Sequence, residues 1–124
     1  MEKIVAKGAP SATGPFSHAI ATGNLVFTSG QIYLTAEGKM LEGTLDEQIH
    51  QIMKNLSCIL EAAGVSFANV VKTTIYVTDM ANYATVNKVY GGYMSDPFPA
   101  REVVCVKELP LGAKVEISMV AEKS

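Results

Sequence analysis

Few side chains in this sequence have the chemistry of a reactive site, and the residues around each limit what it could do. Arg101 opens the run Arg101-Glu102-Val103-Val104-Cys105 within DPFPAREVVCVKEL, residues 96–109. So β-branched a run predicts a strand buried inside a sheet, where an unpaired charge is costly, so Arg101 calls for a partner or a ligand. Glu116 stands in a similar setting, Lys114-Val115-Glu116-Ile117-Ser118-Met119-Val120, in what should be the neighbouring strand. If the two strands form an antiparallel hairpin through residues 109–113, equal steps from the turn put Arg101 opposite a residue near Ala121, and Glu116 falls outside direct cross-strand contact. Two readings stay open: two separate charges in water at strand edges, or an arginine and a carboxylate facing one cleft.

The other polar candidates are sparse. Ser29-Gly30-Gln31 ends an apolar run, and Gly30 either makes a bend or lets a ligand or another chain approach the backbone closely. No His-Asp relay accompanies Ser29, so nucleophilic catalysis by its hydroxyl is not supported. His18 and His50 are the two histidines. His50, between Gln48 and Gln51, reads as part of a solvated helix face, whereas His18, after Gly14-Pro15-Phe16-Ser17, fits either a pocket rim or the surface. There is no phosphate-binding glycine loop, no H-E-x-x-H, no paired cysteine cluster and no G-x-G-x-x-G between strand and helix, so cofactor and metal sites have no motif to rest on. Cys58 and Cys105 lack C-x-x-C spacing and read as reduced thiols of a cytosolic protein.

These residues must be positioned by a small set of elements. Two β-like runs flank Thr22-Gly23-Asn24 and predict a hairpin. Thr44-Leu45-Asp46-Glu47 is a capping box, followed at helical spacing by Leu45, Ile49, Ile52, Met53, Leu56, Ile59, Leu60 and Ala63 until Gly64 stops the helix. Residues 70–77 predict a strand. Asp79 then caps a second helix carrying Met80, Tyr83, Val86, Val89, Tyr90 and Tyr93, which Gly91-Gly92 weakens near its end. Two last strands, near 100–108 and 114–122, are joined by Leu109-Pro110-Leu111-Gly112-Ala113. The order is ββ(β)-α-β-α-ββ. Two helices can cover only one face of such a sheet, yet the central strand has apolar residues on both alternating sets: Val71, Ile75 and Val77 on one, Val70 and Tyr76 on the other. The second face therefore predicts association with copies of the same chain, with pockets at the subunit boundaries.

At 124 residues the chain suffices for one domain, 1–124, with a core that needs no metal or disulfide. Ten basic and twelve acidic side chains give a net charge of -2 with no basic stripe, which argues against nucleic-acid binding. The opening residues are too short in apolar stretch for a signal peptide, and no window matches a membrane span, so the expectation is a soluble, cytoplasmic protein.

Six collinear stretches carry a resemblance: GPFSHA (14–19), VFTSGQI (26–32), EAAGVSFANVVKTTIYVTDM (61–80), ATVNKVY (84–90), PAREVV (99–104) and LPLGAKVEISMVA (109–121). Together they resemble the RidA/YjgF family, also called the reactive intermediate deaminase or L-PSP family, over nearly the whole chain. The resemblance implies an α+β, chorismate-mutase-like fold, a mixed sheet with two helices on one face, assembled as a homotrimer with clefts between subunits. It implies hydrolysis of 2-imino acids and their enamine tautomers, 2-iminobutanoate and 2-iminopropanoate, to 2-keto acids and ammonia, with no cofactor and no metal. Arg101 is then the group that holds the substrate carboxylate, and Glu116 positions or activates the attacking water. Ser29, Gly30 and Asn87 match positions near the cleft, and Val103 matches one that contacts the imine through its backbone. The chain departs from many deaminating members in having Phe16 for tyrosine, Val103 for cysteine and Glu102 for a small residue. Cys105 shares the face of Arg101 and Val103 one pleat away, and so does not replace the missing thiol. Two other functions compete: a small-molecule-binding regulatory module using the same cleft, and a translation-inhibiting endoribonuclease, the name some relatives carry.

Overall fold

The computed structural model describes all residues, Met1–Ser124. Its elements in chain order are β1 (Glu2–Ile4), β2 (Ala19–Thr22), β3 (Leu25–Thr28), α1 (Leu45–Ala62), β4 (Val70–Val77), α2 (Tyr83–Gly91), β5 (Ala100–Cys105) and β6 (Val115–Glu122). The predicted hairpin is β2–β3, closed at Gly23, whose φ of 58° is the left-handed conformation that a two-residue turn demands. In α1 the capping box is complete: the Thr44 hydroxyl accepts from Glu47 N–H, and the Glu47 carboxylate accepts from Thr44 N–H. Gly64, at φ 81°, turns the chain away after Ala63.

All six strands join one sheet in the order β1-β2-β3-β6-β4-β5. Strand β5 runs parallel to β4, and every other neighbouring pair is antiparallel. This corrects the expected hairpin between the last two strands. β4 lies between them, Arg101 is in register with Thr73, and Thr73 with Met119. The Pro110–Gly112 turn is thus a crossover past β4 rather than a hairpin loop. It corrects the burial of Arg101 as well: β5 is an edge strand, with Glu102, Val104 and Cys105 exposed, so its β-branched residues do not mark a buried strand.

Both helices pack on one face. The Ile49, Ile52, Met53, Leu56, Ile59 and Leu60 stripe of α1 is buried with Val26, Ile75, Val77, Val115, Ile117 and Met119 of the sheet. A register shift between Val70 and Lys72 moves Val70 onto this buried face and leaves Val71 exposed, the reverse of strict alternation along the strand. Asp79 caps a 3-10 turn, Met80–Asn82, and α2 begins only at Tyr83, so Met80 and Tyr93 lie outside that helix. The other face of the sheet carries Phe27, Tyr76, Val104, Glu116 and Val120, with Phe27 at 43 % and Val104 at 38 % exposure. No helix is long and apolar enough to cross a membrane.

Candidate functional site

Arg101 leans from the edge strand onto α2. Residues 83, 87 and 90 follow one another at helical spacing and face it together. Arg101 Nη1 donates to Asn87 Oδ1, and Nη2 donates to the Tyr83 hydroxyl at 2.9 Å. The guanidinium carbon stands 5.7 Å from the Tyr83 ring centroid and 5.5 Å from that of Tyr90, within cation–π range of both. Tyr90 is buried and fixed in turn, its hydroxyl donating to Thr73 Oγ1 at 2.9 Å beneath Arg101. Burial pushes the Tyr90 phenol up, against smaller opposing effects of the Thr73 hydrogen bond and the Arg101 charge. The acceptors holding Arg101 are all neutral, and the single ion pair of the chain is Lys72–Glu102, on the opposite face. A guanidinium has five donors, and two are used. Arg101 is thus oriented yet keeps its charge and most of its donors available, in a cavity of about 300 Å³ lined also by Asn87, Tyr90, Phe98 and Pro99.

Glu116 sits elsewhere. It is opposite Tyr76, which is opposite Val104, on the face that bears no helix. After β3, Ser29 and Gly30 bend away, and the chain rejoins β6 at Gln31, which exchanges both backbone hydrogen bonds with Ile117. Gly30 therefore lies directly against the Glu116 carboxyl: a Cβ built there would stand 2.8 Å from Cδ and closer still to Oε2. The glycine is required by this approach rather than by a left-handed turn. Burial raises the Glu116 carboxyl above the ordinary carboxylate range, which suits a group that must both take and return a proton. Phe16, Gly30 and Glu116 line one cavity of about 290 Å³.

The sequence candidates thus divide into two groups, Arg101 with Asn87 and Phe16 with Gly30 and Glu116, and no cavity holds both groups. Ser29 and Val103 line neither cavity. The Ser29 hydroxyl donates to the Ser17 carbonyl at 2.6 Å, closing the bend, and Val103 lies beside Ile75 one pleat from Arg101 on the same face. Cys105 continues that face and is exposed. His18 is buried: its Nδ1 accepts from Ala6 N–H at 3.0 Å and its Nε2–H donates to the Pro10 carbonyl at 2.7 Å, so the ring pins the N-terminal segment behind the Glu116 cavity. His50 is exposed as expected and pairs through Nδ1 with the Tyr93 hydroxyl at 2.6 Å. Nowhere do three or more His, Cys, Asp or Glu side chains converge as metal ligands would.

Three supporting residues escaped the sequence reading. Tyr83 and Tyr90 were legible only as the apolar stripe of a helix, although their i, i+7 spacing with Asn87 between them marks one face. Asn55 is buried in α1, donating to the carbonyls of Ile32 at 3.3 Å and Leu34 at 2.8 Å, and so ties down the wall of the Glu116 cavity.

The family model described as Endoribonuclease L-PSP matches residues 6–123. Among similar proteins, Reactive Intermediate Deaminase A, chloroplastic, of Arabidopsis thaliana is 44% identical over 97% of this chain and 65% of its own length. The mouse 2-iminobutanoate/2-iminopropanoate deaminase is 42% identical over 91% of this chain and 84% of its own. The crystal structure of RidA from an Antarctic Psychrobacter superposes with a TM-score of 0.93 at 37% identity, covering 98% of this chain and 99% of that one.

Proposed function

Because this chain belongs to the RidA/YjgF family, the family of the Endoribonuclease L-PSP model, we propose that it hydrolyses 2-imino acids to 2-keto acids and ammonia. The observation that carries this reading is Arg101: a cation held by three neutral side chains of α2, with no carboxylate of its own chain beside it. Such a group is a preformed receptor for a small carboxylate, bound through two parallel charge-assisted hydrogen bonds.

Arg101 and Glu116 cannot meet within one chain, because they project from opposite faces of the sheet. A site that uses both is assembled between copies. The exposed apolar residues Phe27, Val71 and Val104 supply area for that contact, and a homotrimer with three such clefts is the proposed assembly.

In the assembled cleft Arg101 of one subunit grips the carboxylate of the iminium acid. Glu116 of the next accepts a proton from water as the water oxygen bonds to the imine carbon. The resulting carbinolamine takes that proton on nitrogen, the freed Glu116 carboxylate accepts the hydroxyl proton as the C–N bond breaks, ammonia leaves with the C=O bond formed, and Glu116 then releases its proton to ammonia or solvent. The raised carboxyl of Glu116 places its proton affinity nearer neutrality, which favours both transfers. Asn87 and Tyr83 orient the arginine. Phe16 supplies an apolar wall.

The test is a threonine dehydratase reaction containing semicarbazide. Wild-type protein should speed release of the keto acid and lower the semicarbazone yield, and Arg101→Ala should abolish both effects. Equal action by the variant would defeat the mechanism.

A further inference from the structure

Leu111 is the one non-glycine residue with positive φ, at φ 57° and ψ 24°. A branched aliphatic residue is disfavoured in that left-handed conformation, which glycine or asparagine adopts far more readily. The usual compensation for such strain is core packing, yet Leu111 is 70 % exposed and contributes nothing to the core. Strain held by an exposed side chain directs attention to what that side chain faces. Leu111 stands on the rim of the Glu116 cavity, together with Phe16, Ile32, Leu34 and Pro110. Phe16 is also exposed, at 52 %, so two large apolar side chains flank the entrance.

Glu116 is the only charged group lining this cavity, and the His18 ring beside it has both nitrogens engaged. The hydroxyls of Ser11 and Thr13 and the amide of Gln31 also line the cavity, while Phe16, Ile32, Leu34, Pro110 and Leu111 make up its apolar part. If Arg101 of a neighbouring subunit takes the carboxylate and Glu116 faces the reacting carbon, an apolar substituent of the ligand has the wall of Phe16, Ile32, Leu34, Pro110 and Leu111 to pack against. The cavity, about 290 Å³, has far more room than a methyl or ethyl group requires.

We propose that Leu111 is a specificity-determining residue that selects 2-imino acids whose apolar side chain is longer than ethyl. The inference rests on the imine-hydrolase reading for its reaction, but the selection it describes is a property of binding and can be read without turnover. Burial of each added methylene against Leu111 should tighten binding about fourfold.

The experiment measures calorimetric affinities of the intact protein for the unreactive 2-keto acids of four, five and six carbons, using wild type, Leu111→Asn and Leu111→Gly. Both substitutions suit the left-handed backbone, so the fold is retained, and thermal melting checks this. Wild type should bind the six-carbon acid roughly tenfold or more tightly than the four-carbon one. The variants should lose most of that ratio while keeping their affinity for the four-carbon acid. A chain-length ratio unchanged in both variants, or no chain-length preference in wild type, overturns the proposal. In parallel, imines generated by an amino-acid oxidase from 2-aminobutyrate and norleucine report turnover. Chain-length selection in binding without imine hydrolysis would sink the catalytic reading and leave Leu111 its role; hydrolysis with an unchanged ratio would do the reverse.

Discussion

Arg101 and Glu116 project from opposite faces of one sheet, on strands separated by β4. Arg101 is level with Thr73 and Met119 beneath α2, and Glu116 is level with Tyr76 and Val104 on the helix-free side. A reaction that needs both therefore needs two chains. Arg101→Ala and Glu116→Gln proteins, each strongly impaired alone, should regain activity when unfolded together and refolded as mixed oligomers. Random mixing of equal amounts leaves about one junction in four with both groups intact, so recovery of roughly a quarter of wild-type activity is expected. No recovery in oligomers shown by mass spectrometry to be mixed would place the two groups in unrelated functions.

Truncation of the arginine tests its grip on the ligand. Each charge-assisted hydrogen bond to a carboxylate contributes roughly 1.5–3 kcal/mol. Arg101→Ala should therefore lower kcat/KM at least about tenfold, with Tm little changed because the side chain is half-exposed. Tyr83→Phe keeps the ring over the guanidinium and removes only the acceptor of Nη2. It should raise KM a few-fold and leave kcat nearly intact, consistent with loss of about 0.5–1.5 kcal/mol of positioning.

Gly30→Ala probes the close approach to Glu116. The added methyl overlaps the carboxyl group, which can swing aside because it ends a flexible side chain. Tm should hardly move while kcat falls, and a crystal structure of the variant should show Glu116 in another rotamer. Loss of stability with normal kcat would mean that the glycine serves the bend alone.

The burial of Glu116 has a pH signature. Its carboxyl holds the proton more tightly in the folded than in the unfolded chain. Between the ordinary value of 4.5 and the raised folded value, the folded state binds more protons, so this group's contribution to stability declines as pH rises through that window. Glu116→Gln should be more stable than wild type at neutral pH, with the difference vanishing below pH 4.5. In kinetics, the acid limb of kcat/KM should fall at a pH above 4.5 and be absent from the residual activity of the glutamine variant.

Asn55 anchors the cavity wall from behind. Asn55→Ala leaves the Leu34 carbonyl without its donor, while the Ile32 carbonyl keeps the Leu34 N–H, and should cost about 1–3 kcal/mol, seen as a Tm several degrees lower. Substrate affinity should fall as well, since Ile32 and Leu34 line the cavity.

Much of this molecule is written locally. The capping box at Thr44 and Glu47, the α1 stripe, the turn at Gly23 and the strand 70–77 follow from periods of 3.6 and 2 and from cap and turn chemistry, which involve residues only a few positions apart. The types of Arg101, Glu116 and Gly30 likewise marked them as polar or permissive positions in apolar surroundings. Which face each residue occupies was not legible, because it depends on strand order, and strand order is decided by non-local packing. The insertion of β4 between β5 and β6 turned an expected hairpin into a crossover and made β5 an edge. The bulge at Val70–Lys72 reversed the alternation read along that strand. The tertiary structure alone brought Tyr83, Asn87 and Tyr90 under the guanidinium and set Leu111 over the Glu116 cavity, since these contacts join elements whose spacing along the chain carries no signal of their meeting.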